Sequence, residues 1–137
     1  MCSPTAGVEM ADALGIRGLG TDLVEIARFR LALSRRAHLS DRLFTEGEQA
    51  YAYGQHDPVH SLAARFGAKE AAMKALGAGL GAFKFREVEV VRDDSGAPAL
   101  TLHGAAAARA SARGVRAWQL SLTHTDVTAM AVVLALG

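Results

Sequence analysis

The most informative residues of this sequence are charged side chains in a stretch that is otherwise almost entirely apolar. Residues 65–77 carry Arg65, Lys69, Glu70 and Lys74 among alanines, glycines and large apolar side chains. If the stretch is a helix with about 100° per residue, Lys69 falls inside its apolar stripe and Glu70 lies at the border. A buried charge is costly unless an opposite charge, a metal ion or a ligand compensates it. The pattern therefore predicts a polar site on a buried helix.

Further candidates for chemistry lie elsewhere in the chain. Asp22 ends a predicted strand, Arg28 follows in the next helix, Glu48 lies on another helix, and His124 ends a later strand. Two carboxylates from different elements suit Mg²⁺, which binds one or two carboxylates together with water and phosphate oxygens. Lysine and arginine side chains nearby would neutralise phosphate charge. The set favours a phosphoryl-transfer site, and the sequence has no P-loop motif.

Each candidate also has a purely structural interpretation. Asp22 could cap the helix that follows it. Glu70 and Lys74 have the spacing of a surface ion pair, worth only about 0.2–0.5 kcal/mol. Glu48 matches the capping-box partner of Thr45. His124 could be an ordinary histidine that bonds to a backbone group. Arg28 could be a solvated helix residue.

The elements that must position these side chains follow from hydrophobic periodicity and from turn and cap residues. We predict the following order: a strand over 16–22, a helix over about 24–36, a short helix from the Thr45 cap to about residue 53, a long helix from Pro58 to Gly77, a hairpin of strands 88–91 and 99–102, a helix over 104–113, and a final pair of strands, 118–123 and 128–136. The last strand is continuously apolar, so we expect both of its faces to be buried. This order indicates an α+β fold with an antiparallel sheet and packed helices.

Composition limits the classes of protein to consider. The 137 residues suffice for one domain, which we place at 15–137 behind a flexible N-terminal extension, 1–14. A net charge of +1 predicts neither a nucleic-acid nor a membrane partner, and no window approaches the roughly 20 apolar residues of a membrane span. The single cysteine, Cys2, excludes an internal disulfide and a cysteine-based zinc cluster. The first residues lack a signal-peptide pattern, so we expect a cytoplasmic protein.

Three blocks of the sequence resemble the motifs of one family. Residues 18–28 are similar to the opening motif of holo-[acyl-carrier-protein] synthases, and residues 65–77 are similar to their second motif. Residues 121–125 are similar to their C-terminal S-x-[ST]-H motif. The blocks occur in the family's order and span nearly all of residues 16–136. The sequence thus resembles the short, trimeric type of 4′-phosphopantetheinyl transferase.

The resemblance implies a reaction and a set of roles. Such enzymes move 4′-phosphopantetheine from coenzyme A to a serine of apo acyl carrier protein, a step of fatty acid biosynthesis, and release 3′,5′-ADP. By position, Asp22 and Glu70 would bind Mg²⁺, with Mn²⁺ possible, and would be catalytic together with Lys74. Arg28 would dock the acidic carrier protein. The remaining carried-over residues would bind coenzyme A: Arg65, Lys69, His124 and, near the pantetheine arm or the metal, Glu48. The base that deprotonates the serine stays open between a lysine, a carboxylate and a metal-bound water.

The resemblance also implies a homotrimer with each active site between two subunits, and we expect the alanine-rich face of the long helix to meet a partner. One departure concerns the loop over 54–60, where relatives often carry several lysines or arginines and this chain has His56 and His60. Contacts from this loop to coenzyme A phosphate would then depend on pH. Two alternatives stay open: the acceptor could be a carrier domain within a large synthase, or the chain could be an inactive nucleotide-binding assembly module.

Overall fold

The computed structural model describes residues 4–79 and 81–137, with side chains described from Glu9 onward. In chain order the elements are α1 (Pro4–Ala13), β1 (Ile16–Glu25), α2 (Ile26–Arg35), α3 (Leu39–Leu43), α4 (Glu46–Tyr53), α5 (Pro58–Ala75), a 3₁₀ turn (Phe85–Glu87), β2 (Val88–Arg92), β3 (Pro98–Leu102), α6 (Gly104–Ala112), β4 (Ala117–His124) and β5 (Thr128–Leu136). No helix within these ranges is both long and apolar enough to cross a membrane.

The strands form two antiparallel sheets, which confirms the predicted α+β class. The larger sheet has the order β1-β5-β4, and β2 pairs with β3 in a separate hairpin. The hairpin turns at Asp93, whose carboxylate accepts hydrogen bonds from the backbone amides of Ser95 and Ala97 at 2.9 and 3.0 Å. The predicted final hairpin is also present, because β4 and β5 pair from Ala117 with Leu136 to His124 with Ala129.

Helix α5 lies directly on the larger sheet, and glycines in β1 permit the close approach. A Cβ atom at Gly20 would lie 1.7 Å from the carbonyl oxygen of Ala71, and one at Gly18 would lie 1.9 Å from that of Ala75. The alanine face of α5 is therefore buried inside the subunit, against β1 and β5. The expectation that this face meets a partner subunit is wrong, because the chain's own sheet covers it.

The opposite face of the sheet exposes large apolar side chains. On β1, Leu19 and Leu23 are 63% and 68% exposed. Met130 of β5, which pairs with Leu23, is 36% exposed. Strand β5 therefore alternates between buried residues such as Ala131 and Val133 and this outer face. It does not have the two buried faces predicted from its continuous hydropathy.

Helix boundaries differ from the predictions in ways that affect the site. Strand β1 continues past Asp22, which pairs with Ala131, to Glu25, the N-cap of α2. Asp22 therefore does not cap a helix. Helix α3 was not predicted, and α1 occupies part of the segment expected to be a flexible extension. The end of α5 is as predicted, because Gly77 has a φ of 62° and takes the left-handed conformation that ends a helix.

Candidate active site

A cleft of about 1100 Å³ opens beside β1, α2, α5 and the 3₁₀ turn. It brings together residues that are distant in sequence, among them both carboxylates of the predicted metal site. Its lining includes Asp22, Arg28, Phe29, Phe66, Glu70, Lys84, Phe85 and Arg86. Acidic groups and basic groups thus share one cavity with aromatic side chains.

Asp22, which lines this cleft, is hydrogen-bonded to Lys74 of α5. The Nζ of Lys74 donates hydrogen bonds to Asp22 Oδ1 at 3.2 Å and to the carbonyl oxygen of Thr21 at 2.9 Å. The Asp22 side chain is 17% exposed and that of Lys74 is 56% exposed. At Gly67 of α5, an added Cβ would lie 3.3 Å from Val24 Cγ2, so the close approach there is to Val24 of β1. The carboxylate that accepts from Lys74 is thus Asp22, rather than Glu70 one turn earlier.

Glu70 lies half-buried in the same region. Burial raises the pKa of Glu70, the nearby Asp22 carboxylate raises it further, and the Lys74 ammonium opposes both effects. A carboxylate whose ionisation is disfavoured by burial and by a neighbouring carboxylate makes a site that attracts a cation. Among the residues that the structure describes, no three Asp, Glu, His or Cys side chains are grouped to hold a metal ion. A divalent ion bound here would therefore take two protein carboxylates and fill its other positions with water or substrate oxygens.

The structure places Lys69 and Glu48 in the core. The Nζ of Lys69 donates to Glu48 Oε1 at 2.7 Å and to the carbonyl oxygens of Phe85 and Val88 at 3.0 and 2.5 Å. Neither side chain of the pair has exposed surface. Since an ammonium group has three N–H donors, these acceptors use all of them. This environment disagrees with the expected contacts of Lys69 and Glu48 to coenzyme A, because neither side chain reaches the surface.

Glu48 satisfies several groups at once. Its Oε1 also accepts from the backbone amide of Thr45 at 2.9 Å, which completes the predicted capping box of α4. Its Oε2 accepts from the backbone amide of Val90 at 3.0 Å. The capping interpretation of Glu48 is therefore confirmed. The sequence pattern did not show that the same carboxylate neutralises Lys69.

Arg65 projects from α5 at roughly 140° around the helix from Glu70. Its guanidinium carbon lies 4.2 Å from the centre of the Tyr51 ring, and its Nη1 donates to Ser61 Oγ at 2.8 Å. Burial lowers the pKa of Arg65, and its buried Nε has no hydrogen-bond partner. Arg92 lies near the same ring, with its guanidinium carbon 4.9 Å from the ring centre. The structure therefore does not bring Arg65 together with Asp22 and Glu70 within this chain.

His124 lies at the exposed end of β4 beside the start of α5. Its ring stacks on that of His60, with centroids 5.5 Å apart and planes at 14°. Its Nδ1 is 3.3 Å from the carbonyl oxygen of Thr125. This is the kind of backbone contact expected if His124 has a structural role. His60 Nδ1 lies 3.6 Å from Asp57 Oδ2. The structure thus joins the C-terminal motif to the loop over 54–60.

The cleft includes one wall that the sequence analysis missed. Lys84, Phe85 and Arg86 line it, and the Phe85 ring stacks on Phe66 with centroids 5.6 Å apart. The available signal was the alternation of basic and aromatic residues over 83–86. Its position next to the metal-site carboxylates depends on tertiary packing. Arg28, in contrast, lines the cleft as an exposed side chain of α2, the helix on which it was predicted.

Fold and site together define an α+β protein whose cleft contains the Asp22 and Glu70 carboxylates and several basic side chains. The sequence profile of the 4′-phosphopantetheinyl transferase superfamily matches residues 18–129. A holo-[acyl-carrier-protein] synthase of Streptomyces avermitilis is 48% identical over 124 residues, which cover 90% of this chain and 100% of the relative. The chain therefore belongs to the holo-[acyl-carrier-protein] synthase family of this transferase superfamily, and the resemblance seen in its motifs is confirmed.

Solved structures give the same result. The crystal structure of the holo-[acyl-carrier-protein] synthase from Neisseria meningitidis matches with a TM-score of 0.81 at 31% identity, over 89% of this chain and 99% of that chain. The synthase from Bacillus anthracis, described as a complex with CoA (3′,5′-ADP), matches with a TM-score of 0.73 at 31% identity. This match covers 89% of this chain and 97% of the Bacillus chain.

Proposed function

We propose that this enzyme transfers the 4′-phosphopantetheine group of coenzyme A to a serine of an apo acyl carrier protein. In this reaction the serine oxygen forms a bond to the phosphorus next to the pantetheine arm. The bond from that phosphorus to the bridging oxygen breaks, and 3′,5′-ADP leaves with the electron pair. The serine proton leaves to a base. The observation that carries the proposal is the juxtaposition of Asp22 and Glu70 in one cleft, with Lys74 hydrogen-bonded to Asp22.

The donor set at the cleft fits Mg²⁺ or Mn²⁺, because both prefer carboxylate and water oxygens. Asp22 of β1 and Glu70 of α5 would hold the ion, which would neutralise pyrophosphate charge when bound. The pKa of Glu70 supports this fit, because burial and then the Asp22 carboxylate raise it and Lys74 opposes both effects. Coenzyme A would thus complete a site that the protein supplies in part.

Lys74 suits the stabilisation of phosphate charge. Two of its three N–H donors are held by Asp22 and Thr21, which fixes the ammonium group beside the Asp22 carboxylate. The side chain is 56% exposed, so the third donor can reach a substrate phosphate. A fixed cation placed where charge develops on the leaving 3′,5′-ADP lowers the barrier without reorganising solvent.

Arg28 would contribute to docking of the carrier protein. It is an exposed cation on α2 at the lining of the same cleft. An acidic partner surface bound there would be attracted electrostatically and would bring its serine toward Asp22 and Glu70. For the nucleotide, we propose contacts from Arg65, whose buried Nε lacks a partner, and from the exposed His124.

A homotrimer would cover the outer face of the larger sheet. Leu19, Leu23 and Met130 make this face apolar and exposed in the single chain, and an exposed apolar patch is typical of a subunit interface. We infer that the sheet face, rather than the alanine face of α5, meets the partner subunits. Arg65 and His124 would then complete active sites between subunits.

The test is direct transfer with the purified chain, coenzyme A, Mg²⁺ and two acceptors, a free apo acyl carrier protein and a carrier domain excised from a large synthase. Mass spectrometry should show the carrier protein gaining one phosphopantetheine, with 3′,5′-ADP released in equal amount. The Streptomyces avermitilis relative serves as the positive control. If the control transfers the group and this chain modifies neither acceptor, the result would contradict the proposal and favour the inactive assembly module. Transfer to the excised domain alone would show that the acceptor is a carrier domain of a large synthase and not a free carrier protein.

A further inference from the structure

The buried pair Lys69–Glu48 connects helix α5 to residues 84–86, which form the wall of the cleft. Lys69 of α5 pairs with Glu48 of α4 and donates to the carbonyl oxygen of Phe85 at 3.0 Å. The Val88 carbonyl and the Val90 amide bind the same pair at 2.5 and 3.0 Å. One ion pair thus fixes the backbone of the 3₁₀ turn and β2 relative to α5.

The side chains of the wall face substrate space, whereas its backbone faces the ion pair. Lys84, Phe85 and Arg86 all line the cleft that contains Asp22 and Glu70. Because the three wall residues are consecutive, holding the Phe85 carbonyl limits where the cations on either side of it can lie. Stacking of Phe85 on Phe66 of α5 supports the same placement.

The chemistry of the wall matches a multiply charged anion. Lys84 and Arg86 add two exposed cations to a cleft whose metal-site groups are carboxylates. Cations of this kind bind phosphate groups through charge and N–H donors. The wall is therefore suited to the phosphates of coenzyme A in the cleft that Asp22 and Glu70 also line.

Stability alone is a weak reason for a buried ion pair, because well-packed apolar residues of similar volume often replace one without loss. We propose that Lys69 and Glu48 are positioning residues: they set the wall 84–86 in the geometry that binds coenzyme A phosphates, and they do not touch the substrate. This inference rests on the proposed function and adds the wall as a binding element.

The test measures kcat and KM for coenzyme A in the transfer assay. It compares the wild type with Arg86→Ala, with the double variant Glu48→Leu/Lys69→Met, and with the triple variant that combines all three substitutions. We expect Arg86→Ala to raise KM about tenfold with kcat changed less than about threefold, as for loss of a binding contact. The double variant, in which no buried charge is left unpaired, should also raise KM about tenfold. The KM of the triple variant should be less than about threefold above that of the double variant, because the double variant has already displaced the wall.

Several results would overturn the inference. The Arg86 side chain is exposed, so Arg86→Ala does not disturb the core. An unchanged KM in this variant would show that the wall does not bind coenzyme A. A wild-type KM in the double variant, or full additivity in the triple variant, would show that the pair does not position the wall. Val133→Ala, a cavity in the core of β5, is the control for general loss of stability, and its KM must stay unchanged. An inactive wild type would contradict the proposed function itself and is distinguished from these outcomes.

Discussion

Lys69 Nζ lies 2.7 Å from Glu48 Oε1, and neither side chain has exposed surface. The next residue, Glu70, is half-buried and faces the cleft instead. Adjacent charges on α5 thus serve different environments. Lys69 is neutralised inside the protein by a carboxylate from another helix, whereas Glu70 shares the cleft with a second carboxylate, Asp22.

The buried pair predicts a large loss of stability when one partner is removed. Glu48→Ala should lower the free energy of unfolding by about 3–5 kcal/mol, because it leaves the ammonium of Lys69 buried without its counter-ion. Urea denaturation of the metal-free protein measures this. Glu46→Ala, an exposed change on the same helix, should stay within about 0.5 kcal/mol of the wild type. A loss below about 1 kcal/mol for Glu48→Ala would contradict the assigned pair.

The contact between β1 and α5 predicts that Gly20 tolerates no side chain. Gly20→Ala would place Cβ 1.7 Å from the backbone oxygen of Ala71, so the strand must move away from the helix. We expect a loss of about 3 kcal/mol or more in unfolding free energy, since overpacking against backbone cannot relax through a rotamer change. Gly79→Ala, where an added Cβ meets nothing within 4 Å, is the matched control. Equal thermal stability of the two variants would argue against this packing.

The environment of Glu70 predicts a pH dependence. Its pKa lies above 4.5 because of burial and then because of Asp22, so the folded metal-free protein holds this proton more tightly than the unfolded chain. The stabilisation from the bound proton is present below the unfolded pKa and is lost as the pH rises through the folded value. Mg²⁺ competes with the same proton, so its affinity should fall as the pH drops through the raised pKa.

Substitution separates the two causes of this shift. Asp22→Asn removes the neighbouring charge but leaves burial, and it should lower the pKa of Glu70 part of the way toward its ordinary value. A carbon-detected NMR titration of the Glu70 carboxyl in both metal-free proteins measures the change. If the pKa is the same in both, the two carboxylates do not share a site.

The proposed interface on the outer sheet face, together with the homotrimer that the motif resemblance implies, predicts the oligomeric state. The wild type should sediment as a trimer, and Leu19→Lys, which lies outside the cleft lining, should shift it to monomers, because a lysine in an apolar interface loses its solvation. Transfer should fall with the trimer if active sites lie between subunits. Tyr53→Lys, which changes another large exposed side chain, is the control and should stay trimeric. A monomeric wild type at micromolar concentration would contradict the interface.

Local signals predicted those parts of the fold that depend on near neighbours. The capping box of Thr45 and Glu48 and the helix end at Gly77 each involve residues within a few positions of one another. Motif types likewise indicated Asp22 and Glu70, because paired carboxylates beside cations have few common uses. The five-residue helix α3 lacked a periodic pattern long enough to detect.

The remaining features depend on contacts between distant segments. Which charges of α5 face the cleft depends on what covers each side of the helix, and Glu48 comes from 21 positions earlier in the chain than Lys69. The stacking of His60 on His124 joins the first turn of α5 to the end of β4. The burial of the alanine face follows from the glycines of β1, whose close approach to α5 is a tertiary property.

If Asp22 and Glu70 hold the metal ion that transfer requires, Glu70 must control how the rate depends on Mg²⁺. The experiment measures the rate of phosphopantetheine transfer against Mg²⁺ concentration for the wild type and Glu70→Gln, with coenzyme A and carrier protein saturating. The wild-type rate should rise to saturation and disappear with a chelator. Glu70→Gln, folded and with the same oligomeric state, should be slower by about 100-fold or more, whereas Glu46→Gln should match the wild type. Undiminished transfer by Glu70→Gln would contradict the metal site.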